Sequence, residues 1–138
     1  MQFQDNSKQV KDEMHRVILG AIELGSLVIV GQTKTLVRRD TGALSDSYSH
    51  QVEEKPEEIT SKIGSPLDYA IYNEYGTGEF AENGDGRKGG WYYIGTDGKK
   101  HFTKGMKPNP ALRTSFRKNK KRVQDVFIEQ LGANFKGK

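Results

Sequence analysis

Cysteine is absent from the 138 residues. That excludes a disulfide framework, thiolate chemistry and a cysteine-based zinc site. Apolar side chains are scarce as well, at 33% of the chain, below the usual share for a globular domain. One modest core is affordable, and part of the chain is expected to order fully only within an assembly. Long apolar runs are missing: the longest, Leu27-Val28-Ile29-Val30, is far short of the roughly 20 residues that cross a bilayer. No membrane association is expected. Met1-Gln2-Phe3-Gln4-Asp5 has neither a basic n-region nor an apolar h-region, so no signal peptide is expected and synthesis is assigned to the cytoplasm.

Charge is present but unevenly placed. Residues 1–85 hold 8 basic and 15 acidic side chains, a balance of −7, whereas residues 86–138 hold 14 and 3, a balance of +11. Such polarity suits an anionic partner for the C-terminal part, or association of unlike surfaces of two copies.

Periodicity outlines a single domain over 1–138. Val10, Met14, Val17, Ile18, Ala21, Ile22, Leu24 and Val28 recur at spacings of three and four, which predicts an amphipathic helix over 6–37. Arg38 to Gly42 ends it in Asp-Thr-Gly turn chemistry. Two strands are expected, at about 44–54 and 58–64, joined by the polar loop Glu53–Glu57. Asp68 to Tyr75 reads as a short helical turn ending at Gly76. Residues 76–90, with six glycines, read as a flexible loop. Asp97-Gly98 between Trp91–Ile94 and Lys100–Thr103 is a hairpin signal. Asn109 and Pro110 open the last helix as cap and first turn, with Leu112, Phe116, Val123, Phe127 and Leu131 as its apolar stripe. Gly132 is expected to end that helix and 133–138 to fray. The fold class is therefore α+β: a long N-terminal helix, an antiparallel sheet of about four strands, and a C-terminal helix packed on the sheet.

No catalytic constellation emerges. Gly84-Asp85-Gly86-Arg87-Lys88-Gly89-Gly90 has the glycines of a phosphate loop but lacks Gly-Lys-Ser/Thr entering a helix. His15, His50 and His101 are scattered and read as surface residues, without metal-ligand spacing. Asp68 and Glu74 have no placed partner for acid–base work. Ser45, Ser47 and Ser49 lack a nucleophile elbow. An enzyme is disfavoured, with a hydrolase as a remote alternative, and no cofactor or metal is implied. Residues 113–122 carry Arg113, Arg117, Lys118, Lys120, Lys121 and Arg122 without an acid. Arg113, Arg117, Lys120 and Lys121 fall near one helical face and are candidate DNA-facing residues. They would neutralise phosphates without reading sequence.

Four ordered segments carry a resemblance: Asp40-Thr41-Gly42-Ala43-Leu44, Tyr69-Ala70-Ile71-Tyr72-Asn73-Glu74-Tyr75-Gly76-Thr77, Gly90-Trp91-Tyr92-Tyr93, and Met106-Lys107-Pro108-Asn109-Pro110-Ala111-Leu112. Across residues 5–130 the chain resembles the neck, or tail-completion, family of long-tailed double-stranded DNA bacteriophages, whose members are described as head–tail joining or minor tail proteins. Asn109-Pro110-Ala111-Leu112 departs from the family's usual aromatic after the proline. The resemblance implies a structural virion protein made in the host cytoplasm. It further implies a homo-oligomeric ring, sixfold on the tail axis, between head connector and tail; a separate reading, a compromise with DNA binding, has the basic face of the last helix lining a lumen that DNA crosses. Asp40, Thr41, Gly42, Leu44, Tyr69, Glu74, Gly76, Thr77, Trp91 and Pro110 are the motif and assembly positions so implied. A non-specific DNA-binding accessory protein is the alternative.

Overall fold

The computed structural model describes residues 6–38 and 42–135. Asp40 and Thr41 of the expected turn lie outside them. The order of elements is α1 (Ser7–Leu36), α2 (Ala43–Ser47), β1 (Ser49–Lys55), β2 (Glu58–Gly64), α3 (Tyr69–Tyr75), a 3-10 turn (Gly78–Phe80), β3 (Trp91–Ile94), β4 (Lys100–Thr103) and α4 (Ala111–Phe135). The class is α+β, with long helices at both ends of this order. The four strands, however, form two separate antiparallel hairpins and not one sheet.

Helix α1 is continuous through Gly20, Gly25 and Gly31. Val17, Ala21, Gly25, Ile29, Thr33 and Val37 are all buried. Their spacing of four traces one ridge; α4, which packs on α1, buries an equally spaced row, Ala111, Ser115 and Asn119. Such ridges interlock when both are small enough. Gly25 meets Val123 of α4, where an added Cβ would lie 3.1 Å from Val123 Cγ1. The polar members satisfy themselves within their helices: Thr33 Oγ1 donates to Ile29 O at 2.8 Å, Ser115 Oγ to Ala111 O at 2.7 Å, and Asn119 Nδ2 to Ser115 O at 2.9 Å. Burial without loss of hydrogen bonds is the condition for polar residues in a core.

This arrangement corrects three expectations about the C-terminal helix. The C-terminal helix packs chiefly on α1, not on a sheet. Its most buried face is also not the expected apolar stripe: Phe116 is 48% exposed, whereas the small residue before it, Ser115, is fully buried. Gly132 does not stop α4, which runs on to Phe135. Helix α1 is also long and apolar enough, by length and composition, to cross a membrane. Gly20, Gly25, Ser26 and Gly31 interrupt the apolar run, while Glu23 is the only charge between Val17 and Thr33.

The expected strand over 44–54 begins later. Gly42 sits at φ +83°, and its carbonyl accepts from Asp46 N at 2.9 Å, so the chain turns into α2. Leu44 and Tyr48 are four apart, a spacing that suits one helical turn as well as strand alternation. Both are buried, with Val37, Ala70 and Ala111, in the main cluster. β1 and β2 pair from Ser49↔Gly64 to Lys55↔Glu58 around Pro56 and Glu57. The hairpin lies along α1: His50 Nε2 is 2.6 Å from Glu23, and His15 Nε2 is 3.0 Å from Glu54.

Candidate assembly surfaces

The Tyr-Ala-Ile-Tyr-Asn-Glu-Tyr-Gly-Thr segment joins the ends of both long helices. Asn73 O accepts from Asn109 N at 2.7 Å, and Asn73 Nδ2 donates to Asn109 O at 3.2 Å. Asn109 Nδ2 in turn donates to Leu36 O at the end of α1, at 3.0 Å. Asn109 was expected to cap α4 but is spent on α1. The cap comes from Glu74, buried on α3. Its carboxylate accepts from Leu112 N at 3.1 Å and from Arg113 N at 2.9 Å. A carboxylate there satisfies two orphan amides and complements the helix dipole.

Glu74 also receives Arg113 Nε at 3.1 Å. The same guanidinium donates to both oxygens of Glu82, at 2.9 Å each, and to Glu74 O at 2.9 Å. It lies over the Tyr75 ring, 4.5 Å from its centroid. The hydrogen bonds from Arg113 hold the Glu82 carboxyl below its ordinary range, and Glu82 holds the guanidinium more firmly protonated. Tyr48 shifts the other way: burial, and then the Glu74 charge, raise its phenol.

The start of the glycine-rich loop is pinned, in contrast to the flexibility expected of 76–90. Thr77 N donates to Met106 O, Glu79 N to Lys104 O, and Met106 N to Thr77 Oγ1, each at 2.9 Å. Gly76 and Gly78 have φ of +79° and +61°. A Cβ on Gly78 would overlap Lys104 O. Glycine is needed at this backbone crossing for both reasons.

Two surfaces stay open around this knot. The first is the outer face of α3, where Ile71 is 64% and Tyr72 53% exposed, with Tyr69 and Tyr75 also exposed. Trp91 of β3 borders it, with Arg87 over its ring at 5.3 Å. Residues 68–86 contain five acids and no Lys or Arg; Arg113 pairs with two of these acids, Glu74 and Glu82. The second is a cleft of about 880 Å³ between β2 and α4, floored by α1. Ile22 and Ile29 come from the floor, Ile59 and Ile63 from β2, and Phe116, Val123 and Phe127 from α4. Arg117 and Lys120 stand on its α4 side.

The remaining predicted positions divide accordingly. Gly42 and Leu44 shape α2 and the core, Glu74, Gly76 and Thr77 build the knot, Pro110 precedes α4, and Tyr69 and Trp91 lie at the first surface. Of the candidate DNA-facing residues, Arg113 is engaged by Glu74 and Glu82. Arg117 and Lys120 border the cleft, and Lys121 is exposed. Each histidine faces a carboxylate, including His101 at 3.0 Å from Asp97. Among the described residues no three His, Asp or Glu side chains are grouped to hold a metal ion. The sequence reading missed the cleft and the exposed Ile71. The offset between the Phe116–Val123–Phe127 stripe and the small-residue row Ala111–Ser115–Asn119 was the available signal.

The chain matches no family model, no curated protein and no solved structure.

Proposed function

We propose that this chain is a structural assembly protein of a bacteriophage neck, forming a ring that joins the tail to the head connector. Its work is binding, with no bond made or broken. The observation that carries the reading is the coexistence of two unlike open apolar surfaces on one small domain: the α3 face and the α1–β2–α4 cleft. Exposed apolar area of this kind marks sites of protein association. Two different surfaces suit the head-to-tail contacts that close into rings. A lasting contact of that type buries at least about 1,000 Å² in total. The rigid knot at Glu74 and Arg113 holds the two surfaces in fixed relation, as a repeating contact requires. The resemblance in the ordered motifs supplies the phage setting and the sixfold count.

The test is genetic and structural. Inactivating the gene in the phage that carries it should leave heads and tails unjoined in electron micrographs, and restoring it should rejoin them. Infectious particles with attached tails in its absence would refute the reading.

A second reading, non-specific DNA binding, has one observation in its favour. Arg117, Lys118, Lys120, Lys121 and Arg122 are all exposed on α4. Binding through four or five of them would give a log K against log salt slope of about −4. Absence of duplex binding at low salt would dismiss it.

A further inference from the structure

We infer that the α1–β2–α4 cleft is a socket for the α3 face of a second copy of this chain. The inference rests on the assembly reading and assigns its two contact surfaces.

The two surfaces are both apolar and carry opposite charge at one edge, Asp68 beside Ile71 and Arg117 and Lys120 beside the socket. The socket is concave and apolar, with Phe116, Val123 and Phe127 along α4 and the cations Arg117 and Lys120 beside them. The α3 face exposes Ile71 and Tyr72; the stretch 68–86 holds five acids and no basic side chain, while Arg87 lies over Trp91 at the far edge of the face. Of those acids, Glu74 and Glu82 are engaged by Arg113. Asp68 stands directly before α3, so a negative charge accompanies Ile71 into the basic-edged socket. The contact cannot form within one chain as folded, because Ile71 is 64% exposed and is not among the residues lining that cleft. A copy therefore offers its α3 to one neighbour and its socket to another. Repetition of that unlike pairing generates a ring or a filament.

The absence of cysteine makes the test clean. Ile71→Cys and Phe116→Cys proteins are mixed and oxidised at concentrations where the mass of the wild-type chain has risen above the monomer. The control mixture pairs Phe116→Cys with Ile94→Cys, whose site on β3 is 69% exposed. The inference expects the Ile71–Phe116 heterodimer to form at least about tenfold faster than the control, the ratio set by a specific contact worth 1.4 kcal/mol. Equal rates overturn it. A second variant, Ile71→Glu, alters an exposed side chain and should keep the wild-type circular dichroism. It should weaken self-association by at least about tenfold, as loss of a central apolar anchor does. Unchanged self-association overturns the inference. If the wild type self-associates but neither result appears, the socket assignment fails and the assembly reading stands. If the chain stays monomeric and the phage assembles without it, both fail.

Discussion

Replacing Glu74 with glutamine tests whether α3 holds the two long helices together. The Glu74 side chain is 8% exposed and accepts from two backbone amides of α4 and from Arg113 Nε. Glutamine keeps the shape but only one acceptor oxygen. Its NH2 group must then face an amide donor, leaving one buried N–H without a partner. The Arg113 part of the loss is small, because that side chain is 41% exposed, retains Glu82, and can be hydrated. The amide part remains, along with the loss of a negative charge at a helix N-terminus. Together they cost roughly 2–3 kcal/mol. For a chain of this length the unfolding entropy converts that into a fall in Tm of about 7–10 °C. Calorimetry and urea denaturation of Glu74→Gln beside wild type measure it. A fall of less than about 2 °C would refute the claim that Glu74 is the cap of α4.

Further outcomes follow from the same structure. Glu82 is held below its usual range by Arg113, so its ion pair stabilises the fold fully above the unfolded carboxyl value of 4.5 and is lost as pH falls through the lower folded value. Acid titration of stability should therefore be flatter in Glu82→Gln, and an identical profile would remove this role. The Tyr48 phenol is raised, so its contribution is fully present below the unfolded value of 10.0 and is lost as pH rises through the folded value. Tyr48→Phe should lack that alkaline loss in denaturant titrations at high pH. Gly78→Ala forces a Cβ into Lys104 O at positive φ, and should lower stability by about 1–3 kcal/mol in urea denaturation. Gly20→Ala, on the exposed side of α1 with open space at its Cβ, should instead raise stability by up to about 1 kcal/mol.

Much of the fold was legible in the chain. The three- and four-residue recurrence from Val10 to Val28 specified the helix α1, although of its eight members only Val17 and Ala21 are buried. Asp97-Gly98 specified the β3–β4 hairpin because few other pairs accept that turn. Gly42 and Gly76 marked changes of direction, and both adopt positive φ. These are local properties, carried by residues within one or two turns of each other.

What only the tertiary structure decided involves partners far apart in the chain. Asn109 looked like the cap of its own helix, yet it serves Leu36 O, 73 positions away, while Glu74 caps α4 from 38 positions away. The spacing of Leu44 and Tyr48 was compatible with two periods, and burial against Val37 and Ala70 selected the helical one. The stripe Leu112–Phe116–Val123 promised a buried face, but the buried row of α4 is Ala111, Ser115 and Asn119; Val123 meets α1 at Gly25, and Phe116 lines the cleft. Composition and periodicity set which elements form. Where an open socket remains depends on how closely two helices approach, and that distance is a property of the packed pair and of neither helix alone.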